Sequence, residues 1–280
     1  MEFILPDFAS ASVWMSLLTL TFLEIVLGVD NIIFISIASG KLPPEERKRA
    51  TNIGLILAMV LRIVLLFGIS ILVAMEEPWL AFSNDIISAG FSGQSIILII
   101  GGVFLLYKAT SEIHHKLEGA QLLEEEAASR KVISLKSVII QITLINIVFS
   151  FDSILTAVGM TNGLTGALFI MVVAVVVSVI IMMVFANPVG NFVNKNPTIQ
   201  MLGLSFLILI GFMLIVEGMH LAEAVVLGAE IGTVPKGYLY FAISFSLLVE
   251  FLNMKLRKQK PAVQLHGYQE EAVREGILKK

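Results

Sequence analysis

Seven long apolar segments constrain this chain more than any other feature of its sequence. They cover about residues 13–38, 51–74, 95–111, 134–160, 164–187, 199–218 and 236–254. An α-helix needs roughly 20 mostly apolar residues to cross about 30 Å of hydrocarbon. The apolar residues are continuous and lack the every-second-residue alternation of a membrane β-barrel, which favours helices. We therefore expect an all-α membrane protein with seven transmembrane helices.

The composition excludes most classes of soluble protein. Of the 280 residues, 57% are apolar and 15% are charged, against about 45–50% and about 25% in soluble domains. The chain has no cysteine, which excludes disulfides, thiolate metal sites and cysteine catalysis. A formal net charge of −3 argues against nucleic acid as a partner, because such a partner needs a basic surface.

The lysines and arginines of the connecting segments predict the orientation in the membrane. Four follow the first apolar segment, four lie between the third segment and the start of the fourth, Lys195 lies between the fifth and sixth, and four come directly after the seventh. The segments that alternate with these carry Lys236 as their only basic residue. Because cytoplasmic loops are rich in lysine and arginine, we expect the N-terminus outside and the C-terminus in the cytoplasm of a bacterial inner membrane. No basic stretch typical of a cleaved signal peptide precedes the first segment.

An internal repeat relates the first and fourth apolar segments. At an offset of 122 residues, positions 20–32 align with positions 142–154, and Asp30 falls on Asp152. An offset of three membrane segments reverses orientation, so residues of about 13–111 and 134–218 are predicted to form an inverted 3+3 repeat. The seventh helix is then an addition within one transmembrane domain, residues 1–255, followed by a cytosolic tail, residues 261–280. Secondary transporters with inverted repeats bind substrate near the bilayer midplane, between the copies.

Polar residues interrupt the first and fourth segments near their middles, where they mark a candidate cation site. The set comprises Glu24, Asp30, Asn31, Asn146, Ser150, Asp152 and Ser153. A carboxylate at this depth costs a few kcal/mol, so it is expected to face the bundle interior and meet a cation. Arg62, midway along the second segment, is the candidate counter-ion. Three carboxylates against one guanidinium leave two negative charges, which one divalent cation would neutralise.

Helical spacing divides these residues between two directions. At about 100° per residue, Glu24 and Asn31 share one face with Gly28, whereas Asp30 points about 120° away. The corresponding residues of the fourth segment divide in the same way. Either each aspartate meets a different neighbour, or the helices unwind near Gly28 and Ser150, and we favour the unwound version. Oxygen ligands suit hard cations such as Mn²⁺, Mg²⁺ and Ca²⁺; His115 or His220, if either reached the pathway, would favour Mn²⁺ or Fe²⁺.

Two short segments resemble the TerC family of bacterial membrane proteins: residues 22–32, FLEIVLGVDNI, and residues 149–154, FSFDSI. The likeness continues through residues 100–109, 112–118 and 235–241. The family was named for tellurium resistance and is placed with the LysE-type transporters, and several members are implied to be manganese exporters. Carried onto this chain, the resemblance marks Glu24, Asp30, Asn31, Ser150, Asp152 and Ser153. Many relatives have an acidic residue where this chain has Asn146, so this site would carry one charge fewer.

We therefore expect a divalent cation exporter, with Mn²⁺ as the expected ion and proton antiport as the simplest coupling. It would not be an enzyme, would need no resident cofactor, and would have the metal ion and the lipid bilayer as partners; a homo-oligomer stays open. One alternative is an intramembrane aspartyl protease, although LGVD ending at Asp30 and FSFD ending at Asp152 lack that class's sequence signatures. Others are a non-transporting scaffold for the response to metal or tellurite stress, and a set of structural ion pairs around Arg62.

Several further motifs have a plain structural interpretation. Gly101, Gly102 and Gly211 are predicted to be points of close helix packing, because small residues let membrane helices approach. The polar stretch that begins at Glu112, with His114 and His115, is predicted to be a solvated loop. The group Glu217, His220 and Glu223 could line an exit vestibule or simply end the sixth helix, and the sequence does not decide between these.

Overall fold

The computed structural model describes residues 4–68, 75, 77–84, 87–126, 134–161 and 163–256. Only the backbone is described for Val29, Asp30, Ile87, Asp152 and residues 118–126. Within this part, seven helices are long and apolar enough to cross a membrane, as the sequence predicts. They are α1 (Ala11–Gly40), α2 (Pro44–Phe67), α3 (Gly93–Glu126), α4 (Leu135–Thr161), α5 (Ala167–Lys195), α6 (Pro197–Leu221) and α7 (Lys236–Leu256). The predicted tail, residues 261–280, lies outside the described residues.

Most helices extend beyond the predicted apolar segments. Helix α2 begins at Pro44 and ends at Phe67; proline is favoured at a first helical position, where its missing N–H has no intrahelical partner. Helix α5 continues through Pro188 to Lys195, which membrane helices tolerate. Helix α3 continues to Glu126, so the prediction of a solvated loop from Glu112 onward is wrong: Glu112 itself is buried in a helix.

Helices α1 and α4 are continuous, so the favoured prediction of unwound segments near Gly28 and Ser150 is wrong. A Cβ on Gly28 would lie 2.3 Å from the Met182 sulfur, so this glycine admits a close approach of α5. The Ser150 hydroxyl donates to the Asn146 carbonyl at 2.6 Å, within its own helix. Whether Asp30 and Asp152 meet different neighbours stays a prediction, because their side chains lie outside the described residues.

The helices pack in three main pairs: α1 against α5, α2 against α4, and α3 against α6. In the third pair backbone lies close to backbone, since a Cβ on Gly102 would lie 2.5 Å from the Gly211 carbonyl oxygen. The prediction of close packing at these glycines is therefore confirmed. Helix α7 lies at the edge of the bundle, and Ile243 is the buried residue that it contributes. The inverted repeat stays a prediction.

A small antiparallel sheet caps one end of the bundle, and the all-α prediction missed it. Its strands β1 (Pro78–Ser83), β2 (Ile87–Ser92), β3 (Val225–Val226) and β4 (Ala229–Glu230) lie in that order. Strand β2 pairs with β3, with Ser88 opposite Val225. The sheet therefore joins the connection between α2 and α3 to the connection between α6 and α7. Strands this short, in exposed connections, lack the sustained alternation that would predict them.

Candidate functional site

One cavity inside the bundle is lined by every candidate site residue whose side chain is described. These are Glu24, Asn31, Arg62, Asn146, Ser150 and Ser153. The cavity has a volume of about 70 Å³, which is room for a few water molecules. Helices α1, α2 and α4 supply these side chains, α5 and α6 supply mostly apolar walls, and the start of α7 lies at one end. Asp30 and Asp152 belong to the same turns of α1 and α4, but their side chains lie outside the described residues.

Regular helical spacing turns the polar side chains inward. Glu24 and Asn31 are seven residues apart, which places them on one face of α1 two turns apart. Their exposed fractions are only 3% and 8%. Asn146, Ser150 and Ser153 form the facing stripe on α4, and all three are buried. The two facing stripes together line a polar cavity inside the mostly apolar bundle.

Arg62 connects three helices at the centre of the cavity. Its Nη1 donates to Glu24 Oε2 on α1, and its Nη2 donates to the Ser153 hydroxyl on α4. Both members of the Arg62–Glu24 ion pair are buried. A buried carboxylate without a cation is strongly disfavoured, and a guanidinium cannot neutralise itself by losing its proton. The guanidinium and the Glu24 carboxylate therefore balance each other's charge in the described part of the cavity.

Several other oxygens of the cavity lining are placed to accept. Asn31 Oδ1 is buried and has no hydrogen-bond partner among the described residues. The Ser150 hydroxyl donates to its own helix, at Asn146, and the Ser153 hydroxyl lies 3.1 Å from the Ser150 carbonyl. A hydroxyl that donates to its own helix keeps its oxygen lone pairs for another partner. Amide and hydroxyl oxygens beside one carboxylate are ligands for a hard cation.

The described side chains do not by themselves form a cluster of three or more His, Cys, Asp or Glu residues that could hold a metal. Glu24 and Glu217 are the carboxylates among the described residues that line the cavity. Neither His115 nor His220 is among the described residues that line the cavity; His220 Nδ1 instead lies 3.0 Å from the Ile231 carbonyl oxygen. The described donor set therefore consists of oxygens.

Two further charged residues line the end of the cavity where α6 ends and α7 begins. Glu217 is one of them, whereas His220 and Glu223 are not among the described lining residues, so an exit vestibule formed by all three stays a prediction. Lys236 is the other, and its Nζ donates to Thr156 Oγ1 on α4 at 2.8 Å. From its position in the sequence, Lys236 is predicted only to be a basic residue of a connecting loop. No helical-spacing argument could have placed it here, because its position depends on how α7 packs beside α4 and α6.

An ion-pair cluster lies at the opposite end of the bundle, away from the cavity. Lys41, in the turn between α1 and α2, pairs with Glu112 on α3. Lys108 Nζ lies 3.1 Å from the same Glu112 Oε1. Burial lowers the pKa of the Lys41 amine, and the Glu112 carboxylate partly opposes that shift. The cluster ties the end of α1 to α3, on the side predicted to face the cytoplasm.

Comparisons with known proteins give a consistent result over most of the chain. Residues 9–263 match the family model described as "Integral membrane protein TerC family". The UPF0053 inner membrane protein YgdQ of Escherichia coli is 45% identical over 249 residues, which cover 89% of this chain and 95% of YgdQ. A UPF0053 protein of Haemophilus influenzae is 40% identical over 250 residues, covering 89% and 97%. No solved structure matches this chain.

Proposed function

Because this chain belongs to the TerC family of integral membrane proteins, we propose that it exports a divalent metal cation across the inner membrane, with Mn²⁺ as the expected substrate. One observation carries the proposal: Glu24 and the amide and hydroxyl oxygens of α1 and α4 share one buried cavity within the membrane bundle. Ionisable residues at this depth are costly, and in membrane proteins they commonly mark ion pathways.

The ligand chemistry supports a hard divalent cation. The unpaired Asn31 Oδ1 and the Ser150 hydroxyl are available as neutral oxygen ligands, whereas the Ser153 oxygen already accepts from Arg62 Nη2. Asp30 and Asp152 are proposed as the further carboxylate ligands, on the strength of their matched places in α1 and α4. Together with Glu24, and against Arg62, they leave two negative charges for the ion to neutralise. Mn²⁺, Mg²⁺ and Ca²⁺ all accept such oxygen sets.

Helix packing supports alternating access as the transport mechanism. Suppose that α1, α2 and α3 correspond to α4, α5 and α6. The packed pair α1–α5 then corresponds to the packed pair α2–α4, and the pair α3–α6 corresponds to itself. An inverted repeat would pack in this way, and it would place the cavity between its copies. Proton antiport is the simplest coupling, since a buried carboxylate can take a proton when the metal leaves.

Metal uptake into inverted membrane vesicles tests the proposal directly. In such vesicles export becomes inward accumulation, which is measured for Mn²⁺, Mg²⁺, Ca²⁺ and Fe²⁺ with and without an imposed pH gradient. We expect saturable accumulation of Mn²⁺ that Asp152→Asn abolishes, with normal membrane insertion. The matched control is Glu230→Gln, an exposed carboxylate on β4. Wild-type transport by Asp152→Asn would overturn the proposed site, and absence of saturable binding by the unaltered protein would favour the scaffold.

A further inference from the structure

We propose that Arg62 is a tethered cation that competes with the transported metal for Glu24. In the metal-free protein its guanidinium occupies the carboxylate, and metal binding at Glu24 displaces it toward α4. This inference rests on the proposed function insofar as it takes the cavity as the metal site. It assigns Arg62 a role in the transport cycle, where a static counter-ion would serve only to balance charge.

The two arms of Arg62 reach different helices. Nη1 donates to Glu24 on α1, whereas Nη2 donates to the Ser153 hydroxyl on α4, and Nε has no partner among the described residues. The Ser153 bond does not depend on the Glu24 bond, because the two use different nitrogens. Nη1 can therefore leave Glu24 while Nη2 keeps its contact with α4. This geometry suits an exchangeable cation, because Nη1 binds the metal-ligating carboxylate of Glu24 and Nη2 binds Ser153 on another helix.

Glu24 cannot hold the guanidinium and a divalent ion at contact distance together without strong repulsion between the two cations. Arginine keeps its charge under all ordinary conditions, so repulsion cannot be relieved by deprotonation. In a mostly apolar cavity the repulsion is also poorly screened. Metal binding to this carboxylate therefore favours withdrawal of Arg62, and metal release favours its return.

The competition solves a problem that every carrier with a buried acidic site faces. After the metal leaves, an unpaired buried carboxylate would be strongly disfavoured, which would hinder the return of the empty carrier. The Arg62–Glu24 pair removes that penalty without a second ion from solution. Arg62 would thus speed release and reset while weakening the equilibrium affinity for the metal.

A purely structural role for Arg62 makes the opposite prediction for binding. If Arg62 only holds α1, α2 and α4 together, its removal disorders the cavity, and metal binding becomes weaker or is lost. If Arg62 competes for Glu24, its removal makes metal binding tighter. The equilibrium affinity for the metal therefore distinguishes the two roles. Loss of transport does not distinguish them, because both roles predict that removal of Arg62 impairs transport.

The test measures Mn²⁺ binding to the purified full-length protein in lipid nanodiscs, from the loss of the electron paramagnetic resonance signal of free Mn²⁺. The variants are Arg62→Gln, Arg62→Lys, Glu24→Gln and the double variant Glu24→Gln/Arg62→Gln. We expect Arg62→Gln to bind Mn²⁺ about 5- to 150-fold more tightly, the usual range of coupling between two ligands of one protein. Arg62→Lys keeps the charge but has a single nitrogen for the two contacts, so its binding should tighten less than that of Arg62→Gln. In the Glu24→Gln background, removal of Arg62 should no longer tighten binding.

A transport assay in inverted vesicles completes the test. Arg62→Gln should lose most net Mn²⁺ accumulation but keep exchange of Mn²⁺ for Mn²⁺, since only the return of the empty carrier is impaired.

Unchanged or weaker Mn²⁺ binding by a folded Arg62→Gln overturns the proposed competition, as does tighter binding that persists in the double variant. If Arg62→Gln does not fold, the double variant is compared with Glu24→Gln, because neither Glu24 nor Arg62 is charged in the double variant. Tighter Mn²⁺ binding by the double variant than by Glu24→Gln overturns the proposal, and equal binding supports it. If the unaltered protein binds Mn²⁺ but does not transport it, the proposed export function is wrong. The comparison of binding affinities still tests the role of Arg62 in that case.

Discussion

Asn31 and Asn52 form a natural comparison at the scale of single residues. Both have a buried Oδ1 without a hydrogen-bond partner among the described residues. Asn31 lines the cavity, and Asn52 on α2 is not among the lining residues. An unpaired buried polar atom lowers stability by about 1–3 kcal/mol. A side chain kept for packing alone gains nothing from such an atom, whereas a metal ligand needs one.

Replacing Asn31 with leucine should therefore separate stability from function. The change removes the unpaired oxygen at similar volume, so the thermal unfolding temperature should stay unchanged or rise. Mn²⁺ accumulation in inverted vesicles should nevertheless fall at least about tenfold, as expected when a ligand worth about 1.4 kcal/mol or more is lost. Asn52→Leu is the matched control and should transport like wild type. Equal transport by the two variants would contradict a ligand role for Asn31.

At the scale of helices, two glycines differ in what surrounds them. A Cβ on Gly102 would meet the backbone oxygen of Gly211, whereas a Cβ on Gly28 would meet the end of the flexible Met182 side chain. Backbone cannot move aside without separating α3 from α6, but a methionine can adopt another rotamer. The α3–α6 contact is therefore expected to tolerate less change than the α1–α5 contact.

This contrast predicts different costs for the same substitution. Gly102→Ala should lower the free energy of unfolding by about 1–3 kcal/mol, the usual range for an overpacked core, and Gly28→Ala should lower it much less. Gly159→Ala, on α4 with nothing within 4 Å of its Cβ position, is the control and should raise stability slightly. Thermal unfolding of the three variants in one detergent measures the order. An unaffected Gly102→Ala would show that α3 and α6 do not pack this closely.

The helices were predictable from sequence because apolar length alone determines a membrane span, and helical spacing placed Glu24 and Asn31 on one face. Gly28 was misjudged for a physical reason: whether a glycine loosens a helix or admits a neighbour depends on what packs against it, here Met182 on α5. Lys236 and the small sheet were missed because both depend on contacts between distant parts of the chain. Which of the several carboxylates pairs with Arg62 likewise depends on how the helices pack, so the sequence alone did not identify Glu24.

At the scale of the whole molecule, the two ends of the bundle differ. The cavity extends toward the end where α6 meets α7, with Glu217 and Lys236 in its lining. The opposite end is closed by the Lys41–Glu112 ion pair and an apolar cluster. That cluster comprises Ile33, Ile37, Val193, Ile199 and Leu204. In the predicted orientation, this conformation is closed toward the cytoplasm.

Weakening the closed end should shift the protein toward the opposite conformation. Glu112→Gln leaves the Lys41 and Lys108 amines without their common carboxylate, so the closed end should open more often. Since the chain has no native cysteine, a single Ser36→Cys, at a position 3% exposed between the cavity and this end, reports opening through labelling by an impermeant maleimide. In inverted vesicles, Glu112→Gln should raise the labelling rate several-fold, and the control Glu230→Gln should not. Equal rates would show that the ion pair does not govern access.

The β2–β3 pairing constrains how such a rearrangement can proceed. Gly90 N–H on β2 donates to the Ala222 carbonyl, just past α6, at 2.8 Å, so the segment that leads into α3 is fastened to the segment that leaves α6. Those two helices already touch backbone to backbone at Gly102 and Gly211. In the proposed transport cycle, α3 and α6 with the sheet should therefore stay together as a frame, and the relative motion should fall to α1, α2, α4 and α5, which hold Glu24, Arg62 and Ser153.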